Sequence, residues 1–406
     1  MSILLPHLQE RLRTREREGL LRTRVARKGR QAPEQEIAGQ HFVSFCSNDY
    51  LGLASHPQVR EAFKSAVDRY GLGSGGSHMV TGHCAAHQLL EEELADFMGR
   101  DRALLFSTGY MANVGIINAL TDTGGLVLQD SLNHASLLDG GWLSKAESRR
   151  YPHNDMSALQ QMLSDSNASH HLIVSDGVFS MDGDLAPLPE LIELARQHRA
   201  WLMIDDAHGI GCLGDSGRGI VEAFSSAGCK PTQADLPVLV GTLGKAFGST
   251  GAFAVGDSEM IEYLIQFARP YIYSTAMPPA VAEATRTSLR LLREEPWRRA
   301  RVQELVTRFR DRAAGLNLQL SHSTSPIQAV ILGDVETAMR ASRTLAQEGV
   351  HVSAIRPPTV PAGTSRLRIT FSAAHTDAHL DRLINALERV SADVSSETQN
   401  LLRYRY

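Results

Sequence analysis

The sequence GTLGKAFG, residues 241–248, decides the fold and places a single lysine, Lys245, between glycines. It follows directly on the apolar run Leu236–Val240, which has the length and composition of a buried strand. A lysine at the end of such a strand is expected to be desolvated, and desolvation lowers the pKa of an amine. Only a neutral amine attacks a carbonyl, so Lys245 is a candidate for covalent bonding to a carbonyl compound. Taken alone, the same pattern also fits a solvated loop lysine.

The composition is that of a globular protein with two domains, or one large domain and a subdomain. The chain has 406 residues, of which 43% are hydrophobic and 21% charged. A formal net charge of −4 gives no reason to expect binding to nucleic acid or to an acidic membrane. No apolar run approaches the ~18 residues of a membrane span, and no secretory signal is visible. The four scattered cysteines form no CxxC pair, which favours free thiols in the cytoplasm.

Strand and helix patterns divide the chain into four predicted segments. The first contains a helix up to about Arg30 and a short strand, His41–Phe45. In the second, short apolar runs alternate with amphipathic stretches, which predicts an α/β domain with a mostly parallel sheet flanked by helices. The third has the pattern of a smaller α+β domain, and the fourth is a polar tail. The predicted limits are 1–55, 56–285, 286–392 and 393–406.

Polar side chains follow the ends of neighbouring predicted strands. Trp201–Ile204 leads into Asp205 and His208, and the next strand leads into Lys245. Functional groups of open α/β sheets gather at the carboxyl ends of the strands. An aspartate at one strand end and a lysine at the next suit pyridoxal 5′-phosphate (PLP), because the lysine binds it covalently and the aspartate pairs with its pyridine nitrogen.

Two further features fit this cofactor. A predicted helix opens after Thr108, Gly109 and Tyr110, and its first N–H groups could bind a phosphate. His134 could stack on the face of an aromatic ring. Each residue also has a structural interpretation: His134 as a packing residue, Asp205 as a helix cap and His208 as a loop histidine. Asp205 and His208 could also be metal ligands.

A glycine-rich segment, Gly71–Ser77, superficially resembles a dinucleotide-binding loop. It follows the helical pattern Val59–Tyr70 rather than a strand, which is the context such a loop requires. A loop that lines the site, or a plain connecting loop, is the better interpretation.

Five motifs together resemble those of the α-oxoamine synthases, PLP enzymes of fold type I. The similarity runs in order from about Leu20 to Val390. The motifs are Ser47–Gly52, Asn133–Ser136, Val178–Asp184, Asp205–Gly209 and Gly241–Gly248.

The resemblance implies roles for individual residues. Catalysis is assigned to Lys245, His134, Asp205 and His208. Lys245 would hold the cofactor, Asp205 would pair with the pyridine nitrogen, His208 with the ring oxygen, and His134 would stack on the ring. The other implied cofactor contacts are Gly109, Tyr110, Ser180, Thr242 and, toward a neighbouring subunit, Thr275. The implied substrate contacts are Arg22, His134, Asn48, Thr359 and Arg356, the last as a bidentate partner of a carboxylate.

The stretch Ala354–Arg368 is similar to family members that join L-alanine to a pimeloyl thioester in biotin synthesis. The acyl carrier, coenzyme A or acyl carrier protein, stays open, and the resemblance implies a homodimer. One departure, His78-Met79 where many relatives carry arginine or glycine first, concerns contacts to the acyl chain or thioester.

Three alternatives remain at this level. The first is another α-oxoamine synthase, such as a glycine C-acetyltransferase or a synthase of a long-chain aminoketone signal. The second is a metal-dependent hydrolase built on Asp205 and His208, which would leave Lys245 without a role. The third is a PLP-sensing regulator, for which no DNA-binding extension is visible. We expect no metal.

Overall fold

The chain divides into two compact units. The computed structural model describes residues 4–225 and 228–403. The first unit combines the residues up to Ser47 with those from Gln303 onward, and the second covers Asn48–Val302. The first unit therefore takes elements from both ends of the chain.

The elements follow in chain order. Up to Ser47 they are α1 (Leu4–Arg17), β1 (Arg27–Lys28), β2 (Glu34–Ile37) and β3 (Gln40–Ser44). The next are α2 (Pro57–Tyr70), a π-helical turn (His78–Gly82), α3 (Ala85–Met98), β4 (Arg102–Phe106), α4 (Gly109–Leu120), β5 (Gly125–Asp130), α5 (Ala135–Leu143), β6 (Glu147–Tyr151), α6 (Met156–Ser164), β7 (His170–Asp176), α7 (Leu188–Gln197), β8 (Trp201–Asp205), α8 (Ile220–Ala223), β9 (Val238–Thr242), β10 (Ala252–Gly256), α9 (Ser258–Phe267), α10 (Arg269–Ile272) and α11 (Pro279–Glu294). The last are α12 (Trp297–Ala313), β11 (Gln319–Leu320), β12 (Ile327–Gly333), α13 (Val335–Gln347), β13 (Val350–His351), β14 (Ser353–Ile355), β15 (Ser365–Thr370) and α14 (Asp377–Arg403).

A seven-stranded sheet forms the centre of the second unit. Its strand order is β4-β10-β9-β8-β7-β5-β6. The strands from β9 to β6 are parallel, and β10 is antiparallel to both of its neighbours. The predicted α/β fold with a mostly parallel sheet is confirmed. The register places Asp176 opposite Asp205, and Asp205 opposite Val240, so two acidic residues stand side by side.

The inner strands of this sheet are mostly apolar because helices cover both faces, whereas the edge strand β6 is polar and exposed from Glu147 to Arg150. Every residue of β5 and of β10 is buried. Leu104, Ile116, Val174 and Val240 belong to one core cluster that joins the sheet to α4. Each fully buried side chain of this kind contributes about 1.5–3 kcal/mol, which holds the strand ends in place.

The first unit contains two four-stranded sheets. One has the order β1-β2-β3-β13, in which β13 runs parallel to β3 and pairs Val350 with Val43. The other is antiparallel, with the order β11-β12-β15-β14. A sheet thus joins residues about 300 positions apart in sequence.

The prediction of a helix up to about Arg30 is wrong, because α1 ends at Arg17. Gly19 adopts a φ of +66°, and the Leu20 N–H bonds back to the Arg15 carbonyl at 2.7 Å. This left-handed glycine stops the helix. At the other end, α14 continues to Arg403 through residues predicted as a polar tail, and 404–406 lie outside the described residues.

In the described part of the chain, no helix has both the length and the apolar character needed to cross a bilayer.

Candidate active site

Lys245 lies in the turn between β9 and β10, and the backbone of that turn is fixed by glycine. Gly248 has a φ of +64°, and its N–H donates to the Lys245 carbonyl at 2.8 Å. A Cβ atom at position 248 would lie 2.2 Å from the Ala54 nitrogen. Only glycine combines this φ with so close an approach of two backbones.

The Lys245 amine starts a chain of hydrogen bonds. Its Nζ donates to His208 Nε2 at 3.0 Å, and His208 Nδ1 lies 2.6 Å from Tyr50 Oη. Tyr50 Oη donates its single proton to Asn48 Oδ1 at 3.2 Å, so it accepts the proton of His208 Nδ1. The His208 tautomer is thereby set, with a lone pair on Nε2 for the lysine. His208 is 6% exposed and Tyr50 is 0% exposed, so water does not compete for these bonds.

Asp205, at the end of β8, is held by two donors. Asn113 Nδ2 donates to Asp205 Oδ2 at 2.6 Å, and the Ala207 N–H donates to Oδ1 at 3.0 Å. The second hydrogen on Asn113 Nδ2 goes to Ser136 Oγ at 2.9 Å. Asp205 is therefore a buried carboxylate of fixed orientation.

His134 precedes α5 and is oriented by its neighbours. Its Nδ1 accepts from the Ser136 N–H at 3.3 Å and lies 2.7 Å from Ser136 Oγ. Because Nδ1 is an acceptor, the proton of the neutral ring is on Nε2. The His134 N–H donates to Asp176 Oδ2 at 2.7 Å. Burial lowers the pKa of His134, against the opposing charge of Asp205, so the ring is neutral at physiological pH.

Two more buried aspartates stand near Asp205 with different functions. Burial, and then repulsion from Asp205, raise the pKa of Asp176 well above its ordinary value. Asp206 points away from the cavity and accepts the Ile220 N–H at 2.7 Å, and burial also raises its pKa. Asp206 thus fixes the loop after β8, whereas Asp176 fixes the His134 backbone.

The first turn of α4 contributes backbone donors. Thr108 caps this helix by accepting the Met111 N–H at 3.1 Å. The N–H groups that precede Met111 in the first turn have no intrahelical carbonyl to donate to, as at the start of any α-helix. The N-terminal end of a twelve-residue helix attracts an anion. Tyr110 is 45% exposed, and its hydroxyl donates to Asp139.

These groups surround one cavity of about 210 Å³. It is lined by Gly109, Tyr110, Asn113, His134, Ser136, Asp176, Ser180, Asp205, Ala207, His208, Val240, Gly241, Thr242 and Lys245. A more open crevice of about 520 Å³ also exists in the second unit. There the Arg286 guanidinium pairs with Glu93 and Glu283, so its charges are already neutralised and the smaller cavity is the candidate site.

A protonated histidine, His153, joins two loops of the site by hydrogen bonds to two carboxylates. His153 Nδ1 lies 3.0 Å from Asp130, and Nε2 lies 2.8 Å from Asp184. Burial opposes the charge, but the two carboxylates raise the pKa of His153 to about 10. Asp130 also accepts the Leu132 N–H at 2.8 Å, which fixes the approach to His134.

Five predicted residues do not line this cavity, and one of them, Asn48, accepts the Tyr50 hydroxyl proton at 3.2 Å. Thr275 is exposed and forms a β-bridge with Ser77. In the first unit, Arg22 Nη2 donates to Thr359 Oγ1 at 2.8 Å. Arg356 also belongs to that unit, and its guanidinium donates to the carbonyls of Gly19 and Leu21. The structure thus brings Arg22 and Thr359 together, and Arg356 bonds to the backbone beside them.

The sequence analysis missed Tyr50, Asn113, Ser136 and Asp176 as individual site residues. Tyr50, Asn113 and Ser136 each hydrogen-bond to the side chain of another site residue, and Asp176 holds the His134 backbone N–H. Asn113 follows Tyr110 by one helical turn, and Tyr50 lies inside the motif 47–52, so spacing offered a signal for both.

The donor set fits PLP. An amine, a buried carboxylate, a histidine ring and a helix N-terminus lie around one cavity, and they complement an aldehyde, a pyridine nitrogen, an aromatic face and a phosphate. The same geometry disfavours the metal-hydrolase alternative, because both nitrogens of His208 already bond to Lys245 and Tyr50.

Comparisons with known proteins agree with this assignment. The family profile "Aminotransferase class I and II" matches residues 40–387. A lysine-to-alanine variant of serine palmitoyltransferase from S. paucimobilis, solved with a bound PLP–myriocin aldimine, superposes with a TM-score of 0.90 at 32% identity over 98% of this chain and 100% of that one. The chain belongs to the class I and II aminotransferase family, and it is a PLP-dependent enzyme of fold type I.

Within that family, curated relatives of 52–60% identity are 8-amino-7-oxononanoate synthases. The 8-amino-7-oxononanoate synthase of Methylococcus capsulatus is 60% identical over 351 residues, 86% of this chain and 89% of that protein. The structure of the Francisella tularensis 8-amino-7-oxononanoate synthase superposes with a TM-score of 0.76 at 33% identity, over 88% of this chain and 99% of that one. The predicted resemblance to the α-oxoamine synthases and the predicted cofactor are confirmed.

Proposed function

We propose that this enzyme makes 8-amino-7-oxononanoate from L-alanine and a pimeloyl thioester, as a cytoplasmic step of biotin synthesis. The acyl group would come from coenzyme A or an acyl carrier protein. The observation that supports this most is the bond chain from Lys245 through His208 to Tyr50, placed beside the buried Asp205 in an enzyme 60% identical to a named synthase of this type.

The reaction forms one carbon–carbon bond at Cα of alanine and breaks another. A bond forms between Cα of alanine and the thioester carbonyl carbon, and the C–S bond breaks to release the free thiol. The bond from Cα to the carboxylate then breaks and releases carbon dioxide, and a proton returns to Cα. PLP, when bound, supplies the electron sink that stabilises the carbanion at Cα.

Lys245 is the base that accepts the Cα proton of alanine in this scheme. Its Nζ donates one hydrogen to His208 Nε2 at 3.0 Å, and as a neutral amine it would accept the Cα proton of alanine. The Tyr50 hydroxyl holds His208 in the tautomer that accepts from the amine. Asp205, held by Asn113 and Ala207, provides the negative charge for a protonated pyridine nitrogen.

His134 is the donor for developing negative charge. Its proton is on Nε2, because Nδ1 accepts from Ser136. A neutral imidazole N–H can donate to the oxygen of the attacked thioester carbonyl while the ring covers one face of the cofactor. Ser180 and Thr242, which also line the cavity, would complete the cofactor contacts.

The remaining predicted residues extend the proposal. Thr275 is exposed outside the cavity and would bind the cofactor phosphate of a second subunit, so we propose a homodimer. Three residues would contact the substrate: Asn48, Arg22 and Thr359. The Arg22 Nη2 and Thr359 Oγ1 atoms are 2.8 Å apart. Arg356 would reach the alanine carboxylate by exchanging its backbone carbonyl partners for the charged ligand.

Product mass spectrometry tests this function. Purified holoenzyme is incubated with equal alanine, glycine and serine, together with pimeloyl, acetyl, succinyl and decanoyl thioesters. We expect 8-amino-7-oxononanoate as the dominant aminoketone, with a heavy-isotope label on the alanine carboxylate recovered as carbon dioxide. The Lys245→Ala variant is the matched control, and we expect it to lose at least ~10³-fold in rate with an unchanged circular dichroism spectrum.

A glycine or serine product would overturn the substrate assignment and favour another α-oxoamine synthase. Absence of any aminoketone, or full activity in Lys245→Ala, would refute the proposed reaction.

A further inference from the structure

Three histidines form a compact cluster in the second unit, separate from the residues that line the active-site cavity. His78 opens the π-helical turn, His83 follows that turn, and His87 lies in the first turn of α3. The ring centroids are 5.2 Å apart for His78 and His83, 5.1 Å for His78 and His87, and 5.7 Å for His83 and His87. One nitrogen of each ring lies within 4.8 Å of the others. Among the described residues, no other set of three histidine, cysteine or acidic side chains meets this spacing.

Hydrogen bonds from the Nε2 atoms fix the orientation and the tautomer of two of the rings. His87 Nε2 donates to the Met277 carbonyl at 2.7 Å, and His83 Nε2 donates to Gln88 Oε1 at 3.3 Å. A carbonyl oxygen only accepts, so Nε2 carries the proton in both rings and Nδ1 carries a lone pair. Metal-bound histidines show the same arrangement, in which the second ring nitrogen donates to an oxygen and fixes the ring.

The inner nitrogens approach each other closely. His78 Nδ1 lies 2.9 Å from His83 Nδ1, and His83 Nδ1 is an acceptor, so the single shared proton is on His78. In a tetrahedral zinc site, Zn–N distances of 2.0–2.1 Å place neighbouring nitrogens about 3.4 Å apart. An ion can bind both Nδ1 atoms once the His78 proton moves to the Nε2 of the same ring, and the two rings then need to separate by only about half an ångström.

We propose that His78, His83 and His87 bind a divalent transition-metal ion of the zinc class through their Nδ1 atoms. Imidazole is a preferred ligand of such ions. Cys84 is a candidate for a fourth ligand, since its Sγ lies 3.3 Å from His87 Nδ1. Metal binding replaces the bond that His87 Nδ1 accepts from the Cys84 N–H at 3.1 Å.

The cluster is connected to the segment that carries Thr275. His78 stacks on Tyr271 with a centroid distance of 4.9 Å and an interplanar angle of 13°. The Met277 carbonyl, which His87 binds, also accepts from Ser74 Oγ at 2.6 Å. A bound ion would fix this segment relative to α3.

The site is tested by metal titration of untagged holoenzyme, because a polyhistidine tag binds the same ions. We expect one Co²⁺ per chain with the visible d–d bands of a tetrahedral site, displaced by Zn²⁺ in the same stoichiometry. His78→Phe keeps the stacking on Tyr271 but removes the ligand, and His83→Phe removes the second ligand at a half-buried position. We expect each to weaken metal binding by about 100-fold or more, since loss of even a second-shell partner costs 10–100-fold.

The matched control is His322→Gln, which changes an exposed histidine outside the cluster and should leave the titration unchanged. Circular dichroism checks that each variant is folded. Saturating Co²⁺ without tetrahedral bands overturns the site. So does a metal affinity in folded His78→Phe or His83→Phe that equals the affinity of the unsubstituted enzyme. A thiolate-to-cobalt charge-transfer band that disappears in Cys84→Ser supports Cys84 as fourth ligand, and its absence from the unsubstituted enzyme refutes that ligand.

Discussion

Removal of one oxygen atom, by Tyr50→Phe, should disable the orientation of His208. The Tyr50 hydroxyl accepts from His208 Nδ1 at 2.6 Å and donates to Asn48 at 3.2 Å. Phenylalanine keeps the ring, which is 0% exposed, so the change creates almost no cavity. The perturbation is therefore confined to hydrogen bonding.

The expected free-energy cost follows from the His208 N–H, which Tyr50→Phe leaves without an acceptor. His208, 6% exposed, would keep a buried N–H without an acceptor, which costs about 1–3 kcal/mol. Asn48 is half-buried and can take a water molecule instead. We expect a loss of about 1–2 kcal/mol in unfolding free energy. The misoriented histidine should also lower kcat/KM by about tenfold, equivalent to 1.4 kcal/mol.

A second buried tyrosine provides the control. Tyr151 is 1% exposed, and its hydroxyl has no hydrogen-bond partner among the residues that the structure describes. The neighbouring Ser175 hydroxyl donates instead to the Asp176 carbonyl at 2.9 Å. Tyr151→Phe should therefore leave stability within ~0.5 kcal/mol of the unsubstituted enzyme, or raise it. Urea unfolding at saturating PLP and steady-state kinetics give both quantities. Equal losses in the two variants would refute the role of the Tyr50 hydroxyl.

Three other substitutions test the supports of the site. Asn113→Leu removes a charge-assisted bond of about 1.5–3 kcal/mol, so kcat/KM should fall about 10- to 100-fold in a kinetic assay. Gly248→Ala forces a side chain into a left-handed conformation 2.2 Å from the Ala54 nitrogen, and urea unfolding should show a loss of about 2 kcal/mol or more. His153→Gln should cost about 2 kcal/mol at pH 6 and progressively less toward pH 10. The sign follows because a pKa raised to about 10 in the folded state gives stability that is full below pH ~6.5 and lost as pH rises.

Each of these has an outcome that contradicts it. Unchanged kinetics in Asn113→Leu would show that Asp205 needs no side-chain donor. Gly71 also has a positive φ, +77°, but nothing lies within 4 Å of its added Cβ. Gly71→Ala should therefore cost only about 1 kcal/mol, and a loss equal to that of Gly248→Ala would show that the close approach has no effect. A stability gap for His153→Gln that stays constant from pH 6 to pH 10 would mean that its charge is irrelevant.

The strand ends could be predicted because their signals are local. An apolar run followed by Asp205, or by Lys245, shows the end of a strand and the reactive group together. Parallel pairing then brings those ends to one edge of the sheet. The orienting groups could not be predicted in this way, because Tyr50 and His208 are 158 positions apart and only the fold joins them.

The pairing of strands that are far apart in the chain also could not be predicted from the sequence. The parallel pairing of β3 with β13 depends on a topology that neither short strand specifies alone. The sequence analysis also missed the cluster of His78, His83 and His87, although the spacing His83-x3-His87 is one that metal ligands use. The π-helical turn brings His78 to the other two rings, and spacing alone does not show that turn. The role of Arg356 stays a prediction, since its guanidinium bonds here to the backbone of the N-terminal segment.

The division of the chain into two units has a consequence for how such enzymes diversify. The second unit contains Lys245, His208 and Asp205, locked by buried strands, whereas the first contains the proposed substrate contacts Arg22 and Thr359, joined by one exposed hydrogen bond. Substitutions at these proposed contacts can therefore accumulate in the first unit without removing the buried hydrogen bonds that hold Lys245, His208 and Asp205 in the second. The fold itself tolerates wide sequence change, since the serine palmitoyltransferase structure superposes with a TM-score of 0.90 at 32% identity.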